Sequence, residues 1–390
     1  MGSARRILLA DADAFYVAVA RLADPEGAGK ARFLIVGGYP EQRGVVTSAS
    51  YEARAFGVHS AMPMAQALRR CPRAIVVPPR MDRYAEVSAV VFEVLRTFTP
   101  LVEGLSLDEA FLDVTASQSL FGDGPTIAAK IKAAIYDKTE LRASAGVAPT
   151  KFVAKIASDF EKPDGLVVVP ADRVREFLAP LPIERMWGIG KKTAPKLHDA
   201  GLHTLGDLAR ADARALSTML GTWGLEAQAL ARGIDPRNVE PDRVAKSVGA
   251  EETFERDLTD RTSLERHLLE QAARVAHRLC RDELLGRVIV VKVKYSDFSI
   301  QSRRVTLHEA VGDTDSIFQI ARDLLSRFDL DRPIRLTGVS VGGLALEEAR
   351  ARLFAEPIGE RRRKLEQVSG KIADRFGAKS LRRAALLEKE

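Results

Sequence analysis

The sequence predicts a multidomain protein of mixed α/β and α+β class. Three observations carry that prediction. Apolar strand-like runs alternate with amphipathic helical segments over residues 5–168, the pattern of a layered α/β domain. From residue 180 the texture changes to short helices broken by glycine turns. Residues 247–344 then run strand, helix, strand, strand, helix, strand, the split βαβ order of a four-stranded sheet with two helices on one face.

The elements follow in order. "RRILLA" (5–10) reads as a short buried strand running into "DADAFY", and "FLIVGG" (33–38) as a second. A segment of small residues, "GVVTSAS" (44–50), leads into helical stretches at 51–56 and 63–70. "AIVVPP" (74–79) is a strand and 82–97 a long amphipathic helix. "GLSLDEAFLDVT" (104–115) reads as a buried strand, yet it holds two adjacent acids, Asp108 and Glu109. Neighbouring side chains of a strand point to opposite faces, so both acids reach one point only where the backbone turns or bulges. A helix over 124–139, a strand at 142–148 and a helix over 150–160 complete the alternation. "GIDPRNVEPDRVAK" (233–246), with two prolines and no apolar period, reads as a charged linker. The split βαβ domain has strands at 247–254, 287–296, 300–308 and 334–344, and helices over 263–283 and 315–328. "ERRRKLEQVSGKIADRFG" (360–377) is a basic amphipathic segment compatible with a helix.

Composition narrows the function little. The 390 residues, 46% hydrophobic and 29% charged, suffice for two to four domains with their own cores. The longest apolar runs, such as "VIVVKV" from Val288, are too short to span a bilayer. The opening residues lack the long apolar core and small-residue cleavage site of a signal peptide. Two cysteines, Cys71 and Cys280, cannot build a disulfide framework and suit a reducing cytoplasm, each as a small buried hydrophobe. The six histidines show no zinc-type spacing. A net charge of +6 and a pI of about 9.3 suit a polyanionic partner without requiring one.

The chemistry lies in the acids. "DADAFY" and "LDEA" fall at or beside strand ends of one α/β region. If those strands are neighbours, Asp11, Asp108 and Glu109 converge. Three converging carboxylates repel unless hard cations hold them, and Mg²⁺ prefers such oxygen ligands. Two ions about 3.5–4 Å apart are the recurring arrangement for phosphoryl transfer.

"DADAFYVAVA", "SYEARAFGVHSAMPMAQA", "LSLDEAFLDVT", "SAGVAPTKFVAKIASDFEKPDG" and "WGIGKKTAPKL" occur in the order and spacing that resemble the Y-family translesion DNA polymerases of the DNA polymerase IV (DinB) type. "KSVGAEETF" from Lys246 is similar to the start of that family's little finger. The resemblance implies a right-hand polymerase. Its palm would be 1–20 and 75–168, its fingers 21–74, and its thumb with a helix-hairpin-helix 169–235. A linker 236–245, a βαββαβ little finger 246–346 and a C-terminal tail 347–390 would follow. Asp11 and Asp108 would bridge the metal ions, Glu109 would complete the first site, and the Ala12 carbonyl would be a further ligand of the second. Tyr16 would be the steric gate under the sugar, a rigid ring that rejects a 2′-OH by overlap. Ser48, Tyr51 and Arg54 would grip the dNTP triphosphate, and Lys162 would supply it a point charge. Gly188 and Gly190 would let backbone N–H groups meet a DNA phosphate beside Lys191 and Lys192. Lys292 and Lys294, with Arg303 and Arg304 on the next strand, would track phosphates across the sheet.

The implied function is template-directed, error-prone DNA synthesis without proofreading by two-Mg²⁺ phosphoryl transfer, in a monomer working on primer–template DNA in the bacterial cytoplasm at the nucleoid. The small residues of 44–50 would suit an open site that tolerates a damaged template base. "ARARLFAEP" (349–357) is similar to the Leu-Phe end of a sliding-clamp-binding motif at Leu353 and Phe354, with Arg350 where its glutamine stands. The alternative function is a catalytically inactive scaffold that binds DNA and partner proteins at damage, and a nucleotide cyclase is a more distant one. The presence of all three acids favours the enzyme.

Overall fold

The computed structural model describes residues 5–241, 244–346, 357–377, 380, 381 and 383–386. The described chain separates into two compact units, the first ending before Val244 and the second running from it; Glu41–Arg43 group with the second.

The first unit contains β1 (Ile7–Ala12), β2 (Leu34–Gly37), β3 (Val46–Ala49), β4 (Ile75–Val77), β5 (Val102–Gly104), β6 (Glu109–Asp113), β7 (Ala143–Ala148) and β8 (Leu166–Val168). Five of them form a sheet in the order β5-β6-β1-β7-β8, with β1 antiparallel to both neighbours. Its residues alternate between two cores, as the two-residue period of a pleated strand demands. Leu8, Ala10, Ala110, Leu112, Ala145 and Val147 face the helices Phe15–Ala23, Met81–Phe98 and Gly124–Thr139. Ile7, Leu9, Phe111 and Ala148 face the helix Lys151–Ser158 and the helical residues beyond it. That helix seats directly on β7 because Gly146 has no side chain: a Cβ there would stand 2.2 Å from the Ala154 carbonyl oxygen.

A smaller sheet, β3-β2-β4, has its own core around Ile35, Val46, Met62, Met64 and Cys71. Strand β3 is not legible in the sequence, since its "VTSA" carries one large apolar residue and little alternation. Its small side chains are inside: Val46, Ser48 and Ala49 are each under 5% exposed. Val46 and Ala49 belong to this layer's core. Cys280, unlike Cys71, is only half-buried.

The expected linker also behaves differently over its first half. Asp235 is 4% exposed and Val239 6%. The Asp235 carboxylate accepts the Phe152 N–H at 3.0 Å and two Arg237 N–H bonds at 2.7 and 2.8 Å. Polar residues that signal a solvated tether thus cap the helix Lys151–Ser158 instead.

The second unit is the expected β-α-β-β-α-β domain. Strands β9 (Ser247–Leu258), β10 (Leu284–Tyr295), β11 (Ile300–Val311) and β12 (Ile334–Leu346) form an antiparallel sheet in the order β11-β10-β12-β9. Helices Arg261–Arg281 and Thr314–Leu325 cover one face, burying Leu268, Val275, Ile289, Val291, Ile317 and Leu325. Asp260 and Asp313 cap the two helices through the N–H groups of Ser263 and Ser316. The basic tail segment is helical, Pro357–Phe376, and packs on the helix Arg261–Arg281; Glu366 accepts the Thr314 N–H at 3.0 Å. The clamp-like stretch around Arg350, Leu353 and Phe354 lies outside the described residues. No helix among the described residues is long and apolar enough to cross a membrane.

Candidate active site

Strand β1 runs two residues beyond the expected end, so Asp11 lies inside the ladder, directly opposite Glu109 on β6 and Ser144 on β7. Side chains of directly paired residues share a face. Glu109 opens β6, and Asp108 is the last residue of the β5–β6 turn, closed by the Leu105 N–H on the Glu109 carbonyl at 3.0 Å. The Asp108 carbonyl accepts the Ala12 N–H at 2.9 Å. The adjacent acids therefore sit at a hairpin turn, where the alternation rule is relieved. Asp11, Asp108 and Glu109, remote in the chain, adjoin one another at one end of two neighbouring strands.

Two lysines meet them. Lys162 Nζ lies 2.6 Å from Asp11 Oδ2 and 2.8 Å from Asp159. Lys155 is hydrogen-bonded to Glu109 Oε2. Burial pushes Asp11 up to about 7 against the pull of Lys162, with Glu109 adding repulsion. Burial acts to lower the Lys162 ammonium, but Asp11 and Asp159 raise it more. The short contacts of Lys162 to two acids favour the ionised pair. Burial, then Glu109, also raises Asp108, whose Oδ1 accepts the Ser106 hydroxyl at 2.5 Å.

One buried and two half-buried carboxylates with oxygen-only donors and mutual repulsion are the donor set of a hard dication, so Mg²⁺ fits the chemistry. Among the described residues, the only set of metal-type atoms lying within 4.8 Å of one another is Glu252, His267 and Glu270. That set belongs to the second unit, and its Glu252 is already paired with Arg274 at 3.1 Å. It is no part of the acid trio.

The expected nucleotide-binding residues lie on the helix after β1 and on β3 with the short helix that follows it. Tyr16, on the helix after β1, packs edge-on against Tyr84 with ring centroids 4.8 Å apart, and Tyr84 is 1% exposed. Burial and then the Asp108 charge raise the Tyr16 phenol. Tyr51 and Arg54 share one short helix, and the Arg54 guanidinium stacks over the Tyr51 ring at 4.8 Å while its Nε donates to the Ala49 carbonyl. Ser48 is buried in β3, three residues earlier.

Sequence reasoning passed over Asp13 and Lys155. Asp13, 7% exposed, accepts the Tyr51 hydroxyl at 3.0 Å, the Ser144 hydroxyl at 2.9 Å and the Asp164 N–H at 2.8 Å. It ties the helix of Tyr51 to the loop of Lys162. Its position in "DADAFY", two residues after Asp11, was the available signal.

Farther along, Gly188 has φ +107°, a left-handed conformation that favours glycine, and Gly190 faces open space. The helix Ala194–Asp199 begins just after exposed Lys191 and Lys192. On the second unit's sheet, Lys292, Lys294 and Arg304 lie on the face away from the helices. Lys292 is already paired with Glu251 at 2.8 Å. Arg303, opposite the buried Val291, lies on the other face, stacked over Phe328 at 5.0 Å. Consecutive strand residues cannot share a face, so the expected basic surface loses Arg303.

The impB/mucB/samB family model matches residues 10–159, its C-terminal domain model 245–353 and the IMS family HHH motif 171–202. DNA polymerase IV of Desulfatibacillum aliphaticivorans is 45% identical over 98% of this chain and 96% of its own length. DNA polymerase IV of Ralstonia nicotianae is 45% identical over 90% and 98%. Among solved structures, a Y-family DNA polymerase chimera superposes with a TM-score of 0.80 at 29% identity, covering 87% of this chain and 99% of its own. DinB from Sulfolobus solfataricus gives 0.60 at 29% identity and the same coverage. An insertion ternary complex of Dbh DNA polymerase gives 0.62 at 28% identity, again with that coverage.

Proposed function

The chain belongs to the impB/mucB/samB family, as a Y-family translesion DNA polymerase of the DNA polymerase IV type, and from that premise we propose that Asp11, Asp108 and Glu109 hold the divalent ions of its polymerase reaction. The observation that carries this is the pairing of Asp11 opposite Glu109 with Asp108 in the adjoining turn. Mg²⁺ ions bound there, with the Ala12 carbonyl as a further ligand, would neutralise charge on the reacting phosphate and acidify the primer 3′-hydroxyl. The growing 3′-oxygen attacks the α-phosphate of the dNTP and pyrophosphate leaves.

The chain's own side chains orient the substrates. Arg54, braced on the Tyr51 ring, presents its fork to phosphate oxygens; Tyr51 and Ser48 add hydroxyls. Lys162, paired with Asp11 in this structure, would supply a point charge to the triphosphate. The Tyr16 ring, backed by Tyr84, closes the space a 2′-OH would need. Gly188, Gly190, Lys191 and Lys192 in the thumb, and Lys292, Lys294 and Arg304 in the little finger, hold the DNA backbone without reading sequence. The palm is the five-stranded sheet with its helices, the fingers the three-stranded layer, and residues 169–235 the thumb. The protein works as a monomer in the bacterial cytoplasm at the nucleoid, with Leu353 and Phe354 as the clamp-docking residues.

Primer extension with dNTPs and Mg²⁺ tests the reading. Wild-type protein extends a primer; Asp108→Ala loses extension by a thousandfold or more, roughly the weight of an essential catalytic group, while DNA binding persists. A wild type that extends no primer with Mg²⁺ or Mn²⁺ overturns the proposal.

A further inference from the structure

We propose that Lys155 is the built-in counter-ion of Glu109, a positioning residue that holds the acid in the ion-free enzyme and weakens the site's affinity for a divalent cation. The inference rests on the metal-site reading above and deepens it.

Lys155 is held by a rigid element. Every residue of the helix Lys151–Ser158 is buried except Lys155. Gly146 lets the helix lie against β7, and Asp235 caps its first turn. One turn before Lys155, the buried Lys151 pairs with Glu103 on β5 at 2.5 Å. The two lysines are four residues apart and share a helix face. They make parallel rungs, Lys151 to β5 and Lys155 to the first residue of β6. The Lys151 rung fixes the helix, because stripping one partner from a buried pair leaves an uncompensated charge. The Lys155 rung, with side chains about one-fifth exposed, ends on the acid trio. Its charge also acts on Asp11.

Two effects oppose each other when an ion arrives. A donor on a ligand's outer oxygen can orient the ligand and improve the site. A full positive charge beside a dication repels it, and pins the oxygen the ion needs. Even in a water-like dielectric, a single and a double charge about 5 Å apart repel by enough to change affinity roughly tenfold, and by more in a partly buried site. Repulsion wins. Lys155 therefore stabilises the ion-free trio and leaves it weak for free metal, so that ions bind firmly only once a nucleotide adds its negative phosphates.

The test measures Mn²⁺ binding to the full-length protein without DNA or nucleotide, by titration calorimetry, taking as the relevant site the one lost in Asp11→Asn. Lys155→Met binds Mn²⁺ at that site about tenfold more tightly or better, and Lys155→Arg binds as wild type does. Lys155→Gln provides the same comparison if Lys155→Met fails to fold. An unchanged or weaker affinity in the neutral variants overturns the role given to Lys155. Loss of no Mn²⁺ site in Asp11→Asn would overturn the metal-site reading itself, so the two failures are distinguishable.

Discussion

Gly146→Ala is the sharpest probe of how the sheet positions the site. The added Cβ would lie 2.2 Å from the Ala154 carbonyl oxygen, 2.5 Å from the Ser158 nitrogen and 2.9 Å from the Ala157 Cβ. All three belong to the helix Lys151–Ser158 or its backbone, so no flexible side chain can swing aside. Restoring ordinary contact distances requires the helix to withdraw by about 1 Å. Overpacking of this kind costs about 1–3 kcal/mol. A midrange loss of about 2 kcal/mol lowers Tm by roughly 4–8 °C for a unit of this size. The same withdrawal draws Lys155 off Glu109 and shifts the loop of Lys162, and a misplacement of about 1 Å can cost on the order of a hundredfold in rate. Circular dichroism melts and single-nucleotide insertion kinetics read the two effects. Gly190→Ala is the control for the melts alone, since nothing lies within 4 Å of a Cβ there. A Gly146→Ala protein that melts and inserts nucleotides like wild type would refute the account of this helix seat.

Three further outcomes are expected. Tyr16→Ala raises ribonucleotide incorporation about five- to hundredfold in single-nucleotide insertion, the worth of the steric overlap removed; unchanged sugar discrimination would remove Tyr16 from the gate. Asp235→Ala lowers stability by about 2–3 kcal/mol at neutral pH, since it loses a helix cap and a charge-assisted pair. Although burial works to raise Asp235, Arg237 and the Phe152 N–H hold it below the usual carboxylate range. Its contribution is therefore complete above the unfolded-state value and fades as pH falls through the lower folded one, so the gap between variant and wild type should close in denaturant melts below about pH 4; a gap constant with pH contradicts this. Replacing Lys294 and Arg304 by alanine flattens the salt dependence of DNA binding by about two units of log–log slope, whereas Arg303→Ala on the opposite face leaves it alone; equal effects would put Arg303 on the DNA.

Strand β1 was legible because burial on both faces leaves a continuous apolar run, and β10 to β12 because burial on one face leaves a two-residue period in β-branched residues. Strand β3 was not, because "VTSA" packs through small side chains. The turn at Asp108 and Glu109 followed from geometry alone: two acids cannot share a face of a regular strand. The same rule applied to Arg303 and Arg304 would have separated them. Lys155 was hidden for a different reason. A lysine on an amphipathic helix reads as a solvent-facing charge, and only the packing of that helix on β7 and β1 brings its side chain to Glu109. Asp235 stands in a segment that reads as a charged linker, and its cap on a helix more than eighty positions earlier is a tertiary fact.

The packing of Tyr16 against Tyr84 carries one more consequence. A ring rejects an extra oxygen only as firmly as its backing resists displacement, and that backing is a residue of the helix Met81–Phe98 that need never meet a nucleotide. With Tyr16 as the proposed gate, strictness toward ribose becomes a mechanical property shared by two helices, and substitutions at Tyr84 that soften the support would let RNA precursors through while Tyr16 itself stays in place.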